Sequence, residues 1–188
     1  MGGLRRLDGA ARVRYMLGMS VPVASGSAGS DRPLSRILVS TDFSPASEYA
    51  VDYALGLAKQ LSASVQICHC ALQPDYELAG LVSPGMRTAA AAFIEQAMAM
   101  AHASRLELEH LADRKRALGV PLTVSMLEGR PADAIVAAAR DSGADLIVIG
   151  SRSRPGVRHV LLGSVAEKVV RSAHCPVLVV HPDDRTGQ

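Results

Sequence analysis

Between residues 36 and 181 the apolar positions fall into alternating short and long blocks. Residues 36–43 (RILVSTDF) form a short β-branched run that turns polar at its end, the pattern of a buried strand. The period then changes. Ala50, Val51, Ala54, Leu55, Ala58 and Leu61 recur at helical spacing across residues 44–63, with Ser44 placed to cap the helix and Pro45 suited to its first turn. A second strand is predicted over 64–72 (SVQICHCAL). Residues 73–87 carry Pro74, Gly80, Pro84 and Gly85 and read as a loop. A long helix follows over 88–119, with Gly119 as its left-handed stop and Met98 and Met100 as expected packing residues. A third strand spans 120–127. The next helix covers 128–143, with Pro131 near its start and Gly143 at its end. Residues 144–150 (ADLIVIG) are a fourth strand, 161–174 a helix and 175–181 a fifth strand.

The order is βαβαβαβαβ, with strands apolar on both faces and a helix in each crossover. That is an α/β fold: a five-stranded parallel sheet with helices on both faces. No repeat or internal boundary interrupts the pattern, so residues 34–182 read as one domain. Residues 1–33, rich in Gly, Ser and Ala, lack apolar periodicity and are expected to be a disordered extension. Their short apolar stretch is broken by Ser20 and Pro22, unlike a secretory leader. Residues 183–188 are a polar tail.

Aromatic residues are only 3% of the chain and apolar residues 48%, so the core must be built from Ala, Val, Leu and Ile. A net charge of +2 gives no support to a nucleic-acid surface. No apolar run approaches the ~20 residues of a membrane span. Cys68, Cys70 and Cys175 make an odd, low count that offers no disulfide framework and fits a reducing, cytoplasmic setting. Cys68 and Cys70 flank His69, but alternation along a strand turns His69 away from both thiols, which argues against a metal site.

In open parallel sheets ligands bind beyond the carboxyl ends of the strands, where strand order reverses. Polar groups concentrate at two such ends. The first strand offers Ser40, Thr41, Asp42 and Ser44; the fourth offers Gly150, Ser151, Arg152, Ser153 and Arg154. Gly163 and Ser164 open the following helix, where free N–H groups and the helix dipole favour an anion. Arg152, Arg154 and Arg158 add positive potential. These residues are compatible with a phosphate cradle and equally with an ordinary basic turn. They form neither a P-loop nor a G-x-G-x-x-G fingerprint. Asp42 is the only carboxylate at the first strand end, and His159 has no evident orienting partner, so nothing is arranged for metal-assisted group transfer.

The segments ILVSTDFSPASEYAVDYALGLA and GADLIVIGSRSRPGVRHVLLGSVAEKVVRSAHCPVLVV resemble the opening and the C-terminal signature of the universal stress protein family. The nucleotide-binding branch of that family carries Gly-x2-Gly-x9-Gly-Ser/Thr. Here Gly150 is the first glycine and Gly163-Ser164 the closing pair, while Ser153 replaces the second glycine. The resemblance implies strand order 3-2-1-4-5 and an adenine nucleotide, ATP with Mg²⁺. Its adenosine end would lie over the first two strands, near Ser40, Asp42 and the backbone of Cys70, beside the Thr41 candidate named above. Its phosphates would lie on Gly150, Ser153, Gly163, Ser164 and Val165, within the set that Ser151, Arg152 and Arg154 complete from the residue reading above. It also implies a cytoplasmic homodimer joined through the last strand, from Pro176 to Val180, whose apolar edge suits pairing. The implied role is stress response through nucleotide-dependent signalling, with at most slow ATP hydrolysis. Two other readings are a dimeric interaction module that binds no nucleotide and an adenylate-handling enzyme.

Overall fold

A computed structural model describes residues 33–71, 87–151 and 162–182. Within them the chain forms β1 (Arg36–Ser40), α1 (Pro45–Leu61), β2 (Ser64–Ala71), α2 (Arg87–Arg116), β3 (Leu122–Glu128), α3 (Pro131–Asp141), β4 (Leu146–Gly150), α4 (Ser164–Ser172) and β5 (Val177–Val180). All strand pairs are parallel, in the order β3-β2-β1-β4-β5. The jump from β3 across to β4 makes β1 and β4 neighbours at the point where strand order reverses. Among the described residues no helix is long and apolar enough to cross a membrane.

Alternation along each strand sorts the core into two layers. Ile37, Val39, Val65, Ile67 and Val148 point to one face, where α1 and α2 cover them with Ala50, Ala54, Leu108 and Leu111. Leu38, Cys68, Ile147 and Ile149 point to the other, against Ile135 and Ala139 of α3 and Ala166 and Val169 of α4. Each fully buried Val, Leu or Ile contributes about 1.5–3 kcal/mol. The alanines of α1 bring helix and sheet backbones close together, which is how a chain so poor in aromatic residues closes its core.

Several boundaries differ from those expected. β1 ends at Ser40 rather than 43, because the Thr41 hydroxyl accepts the Phe43 N–H (3.0 Å) and Phe43 turns left-handed at φ 60°. The helices expected over 128–143 and 161–174 are confined to Pro131–Asp141 and Ser164–Ser172, and the last strand to Val177–Val180. Gly119 (φ 71°) and Gly143 (φ 60°) take the left-handed conformation expected after a helix. Met98 and Met100 do not pack as expected: they are 59% and 63% exposed, and the buried residues of α2, Leu108, Leu111 and Ala112, lie in its C-terminal half. Nor are all strands apolar on both faces. Ser64 and Gln66 of β2 and Thr123 and Ser125 of β3 share the second face at a corner open to solvent.

The expected extension lies outside the described residues except for Pro33, the tail entirely, and the loop over 73–87 except for Arg87, which opens α2. Every strand finds its partners within 36–180. Deleting residues 1–33 is therefore expected to leave the melting temperature within about 3 °C, less than ~1 kcal/mol for a chain of this size. Circular dichroism on the truncated protein checks this, and early melting or insolubility would contradict it.

Candidate functional site

The end of β1 is tied down by its own neighbours. Thr41 is buried; its N–H donates to the Cys68 carbonyl (2.9 Å) and its carbonyl accepts from His69 Nδ1 (2.8 Å). Its hydroxyl lies 3.1 Å from that of Ser47, which also accepts the Asp42 N–H (3.2 Å) and donates to the Ser44 carbonyl (2.9 Å). Phe43 stacks on the His69 ring at a centroid distance of 4.4 Å. The Thr41 carbonyl thus holds a proton on Nδ1 of His69. Ser44 caps α1, and its N–H and hydroxyl both donate to the Asp42 carboxylate. The N-terminus of α1 is thus filled by side chains of the protein itself.

The end of β4 is built differently. Gly150 has no room for a side chain: a β-carbon there would stand 2.4 Å from the Ala46 carbonyl oxygen and 3.0 Å from the Ser47 Cα. Glycine at this position lets α1 sit against β4. Ser151 is held through both backbone groups, its N–H by the Val180 carbonyl (2.9 Å) and its carbonyl by His181 Nδ1 (3.0 Å). Its side chain is not held. The residue is only 3% exposed, yet its hydroxyl has no hydrogen-bond partner among the described residues. A buried hydroxyl without a partner costs about 1–3 kcal/mol and marks a place for an acceptor or donor not yet in position.

Gly163 is the N-cap of α4, in extended conformation (φ −60°, ψ 152°), and provides no side-chain cap. The first helical bond joins the Glu167 N–H to the Gly163 carbonyl (2.9 Å). The N–H groups of Ser164, Val165 and Ala166 precede it and have no intrahelical acceptor. Glu167, the acid of this first turn, is engaged by Arg171 (2.9 Å). Of the two helix N-termini that follow β1 and β4, α4 is the one left open to an anion.

The structure thus brings Ser40, Thr41, Asp42, Gly150 and Ser151 to adjoining strand ends, with Gly163, Ser164 and Val165 opening the helix after β4. Arg152, Ser153 and Arg154 lie outside the described residues, as do Arg158 and His159. The Cys70 thiol donates to the Gly129 carbonyl (3.2 Å), and burial raises its pKa. Burial, with Cys70 adding to it, pushes the Cys68 thiol up to about 12. Both thiols are protonated at neutral pH, and among the described residues no group of three His, Cys, Asp or Glu side chains could hold a metal ion. Sequence reasoning missed Ser47, Phe43, His69 and His181, which fix the two strand ends. Their contacts are made across strands or turns and leave no local signature.

The family model for universal stress proteins matches residues 33–181. A universal stress protein of Methanocaldococcus jannaschii is 34% identical over 145 residues, 77% of this chain and 81% of that protein. The universal stress protein YxiE of Bacillus subtilis is 32% identical over 147 residues, 78% of this chain and 98% of its own. Among solved structures, a universal stress protein in complex with cAMP is 27% identical, with a TM-score of 0.54 over 80% of this chain and 99% of that one. The sheet order, the placement of polar groups at β1 and β4 and these matches agree: the chain belongs to the universal stress protein family.

Proposed function

We propose that the protein binds ATP, with Mg²⁺ on its phosphates, across the carboxyl ends of β1 and β4, and acts in stress response through that nucleotide rather than through a metabolic reaction. The observation that carries this reading is the pairing of an uncapped α4 N-terminus with a buried, unpartnered Ser151 hydroxyl. The phosphates bind the N–H groups of Ser164 and Val165 beside Gly163, with the Ser151 hydroxyl as a donor and Arg152, Ser153 and Arg154 on the connecting segment. Asp42 stands exposed at the end of β1, where a carboxylate can accept from ribose hydroxyls. Ser40 and the Cys70 backbone flank the base. The Thr41 hydroxyl is engaged with Ser47 and Phe43, so it shapes the turn instead of touching the ligand. The relative solved with cAMP supports an adenine nucleotide as the ligand class. No carboxylate pair is arranged around these strand ends among the described residues, which fits binding with at most slow hydrolysis.

The same reading makes the protein a cytoplasmic homodimer joined from Pro176 to Val180. β5 pairs only with β4 among the described strands and carries Val177, Leu178, Val179 and Val180 with no charged guard. All three cysteines are free thiols.

Isothermal titration with Mg-ATP is expected to give a dissociation constant on the order of 1 µM, about −8 kcal/mol. No heat and no thermal shift at millimolar ATP would instead favour an interaction module that works without nucleotide.

A further inference from the structure

We infer that the amino-terminal end of the sheet, opposite the nucleotide cleft, carries a second ligand site: a pocket in which Arg36 holds a small monocarboxylate. The pocket has a volume of about 420 Å³, within the range of small-molecule sites. It occupies the polar corner of the second sheet face. Arg36 and Ser64 are register partners there, and Gln66 and Thr123 are partners one pleat further on.

Arg36 is the reason this corner is more than a solvated edge. Its Nε is buried and has no hydrogen-bond partner among the described residues. The guanidinium lies against Gly143, where a β-carbon would come within 2.8 Å of Nη2. The nearby Asp145 carboxylate has its Oδ2 engaged by the Ser35 N–H (3.0 Å), the Ser35 hydroxyl (2.9 Å) and the Arg36 N–H (2.9 Å). An unmade donor on a guanidinium in a cavity calls for an acceptor, and the planar fork fits a carboxylate through two parallel bonds.

The surroundings select the ligand's charge and shape. The carboxyl end of α3, with Ser142 and Ala144 on the pocket wall, brings the negative end of a helix dipole. With Asp145 beside it, this corner weakens the hold of Arg36 on any anion and penalises a dianion such as phosphate more than a monocarboxylate. Exposed Pro121 supplies an apolar edge for a short hydrocarbon or aromatic body, while Leu38 lies sealed beneath the floor and the Leu122 side chain packs on the other face of the sheet. Gln66 gives one amide N–H to Ser125 (3.0 Å), which leaves its second N–H and the Thr123 hydroxyl as further donors.

The test uses the full chain and follows the Arg36 Nε–Hε and Thr123 amide resonances by NMR during separate titrations with butyrate, benzoate and inorganic phosphate. Butyrate or benzoate is expected to shift both resonances saturably, and phosphate to bind at least about tenfold more weakly. Arg36→Lys keeps the charge and the stem but loses the fork. It is expected to weaken carboxylate binding about tenfold or more while leaving Mg-ATP affinity unchanged, because the cleft lies at the other end of the strands. The proposal fails if neither carboxylate gives a saturable shift in the wild-type protein, a result that stands whether or not the variant folds. It also fails if Arg36→Lys binds carboxylate as tightly as wild type, or if phosphate binds more tightly than either acid. The nucleotide reading is judged separately by the ATP titration.

Discussion

Replacing Gly150 with Ala lowers the melting temperature of the nucleotide-free protein by roughly 6–12 °C. The added methyl would stand 2.4 Å from the Ala46 carbonyl oxygen, 2.8 Å from its carbon and 3.0 Å from the Ser47 Cα. These are backbone atoms of the first turn of α1, so no rotamer change relieves the contact. The helix must back away from β4, and Ala50, Val148 and Val39, all fully buried, lose packing with it. Overpacking of this kind costs about 1–3 kcal/mol. A clash with a main-chain oxygen belongs at the upper end, and each kcal/mol moves the midpoint about 2–4 °C in a chain of this length. Thermal melting by circular dichroism without nucleotide isolates the packing effect from any effect on ATP. A variant that melts within about 1 °C of wild type would show that Gly150 is free to serve the ligand alone.

That glycine illustrates what the sequence could and could not reveal. The strand–helix alternation was legible from β1 to β5, because burial on two faces writes apolar runs into β1 and β4 and β-branched residues alternate through β2. The strand order came from the family resemblance, and the pairing of β1 with both β2 and β4 agrees with it. The polar groups at the ends of β1 and β4 were legible as well, since Ser, Thr, Asp and Gly stand out after Val and Ile. Their roles were not. Gly150 reads as a phosphate contact in the sequence, and its packing against Ala46, a neighbour distant in the chain, adds a structural demand that the sequence does not show. Thr41 reads as a ligand group in the sequence, and the bonds of its hydroxyl to Ser47 and the Phe43 N–H were not legible there. The open corner at Ser64, Gln66 and Thr123 was missed because helix coverage of a sheet is a tertiary property that no window of residues contains.

Gly163→Asp is expected to stabilise the free protein and to cripple ATP binding, two effects of opposite sign from one substitution. Gly163 sits at φ −60°, ψ 152°, a conformation any residue adopts, and a β-carbon there meets nothing within 4 Å. The free fold therefore has no need of glycine at this position. An aspartate at the N-cap accepts the N–H of Val165 or Ala166 and complements the helix dipole, a gain of about 0.5–1 kcal/mol. In the bound state the same carboxylate occupies the donors assigned to phosphate and places a negative charge beside it. A loss of about a hundredfold in ATP affinity, ~2.8 kcal/mol, is expected. Gly163→Asn separates the two causes, because its amide oxygen also caps the helix but carries no charge. Affinity should fall in the order wild type, Asn, Asp, while melting temperature in the absence of nucleotide rises or holds for both variants. Titration calorimetry and thermal melts on the three proteins give both readouts. If folded Gly163→Asp binds ATP as tightly as wild type, the phosphates do not lie on the α4 N-terminus, and the buried Ser151 hydroxyl must answer to a different ligand.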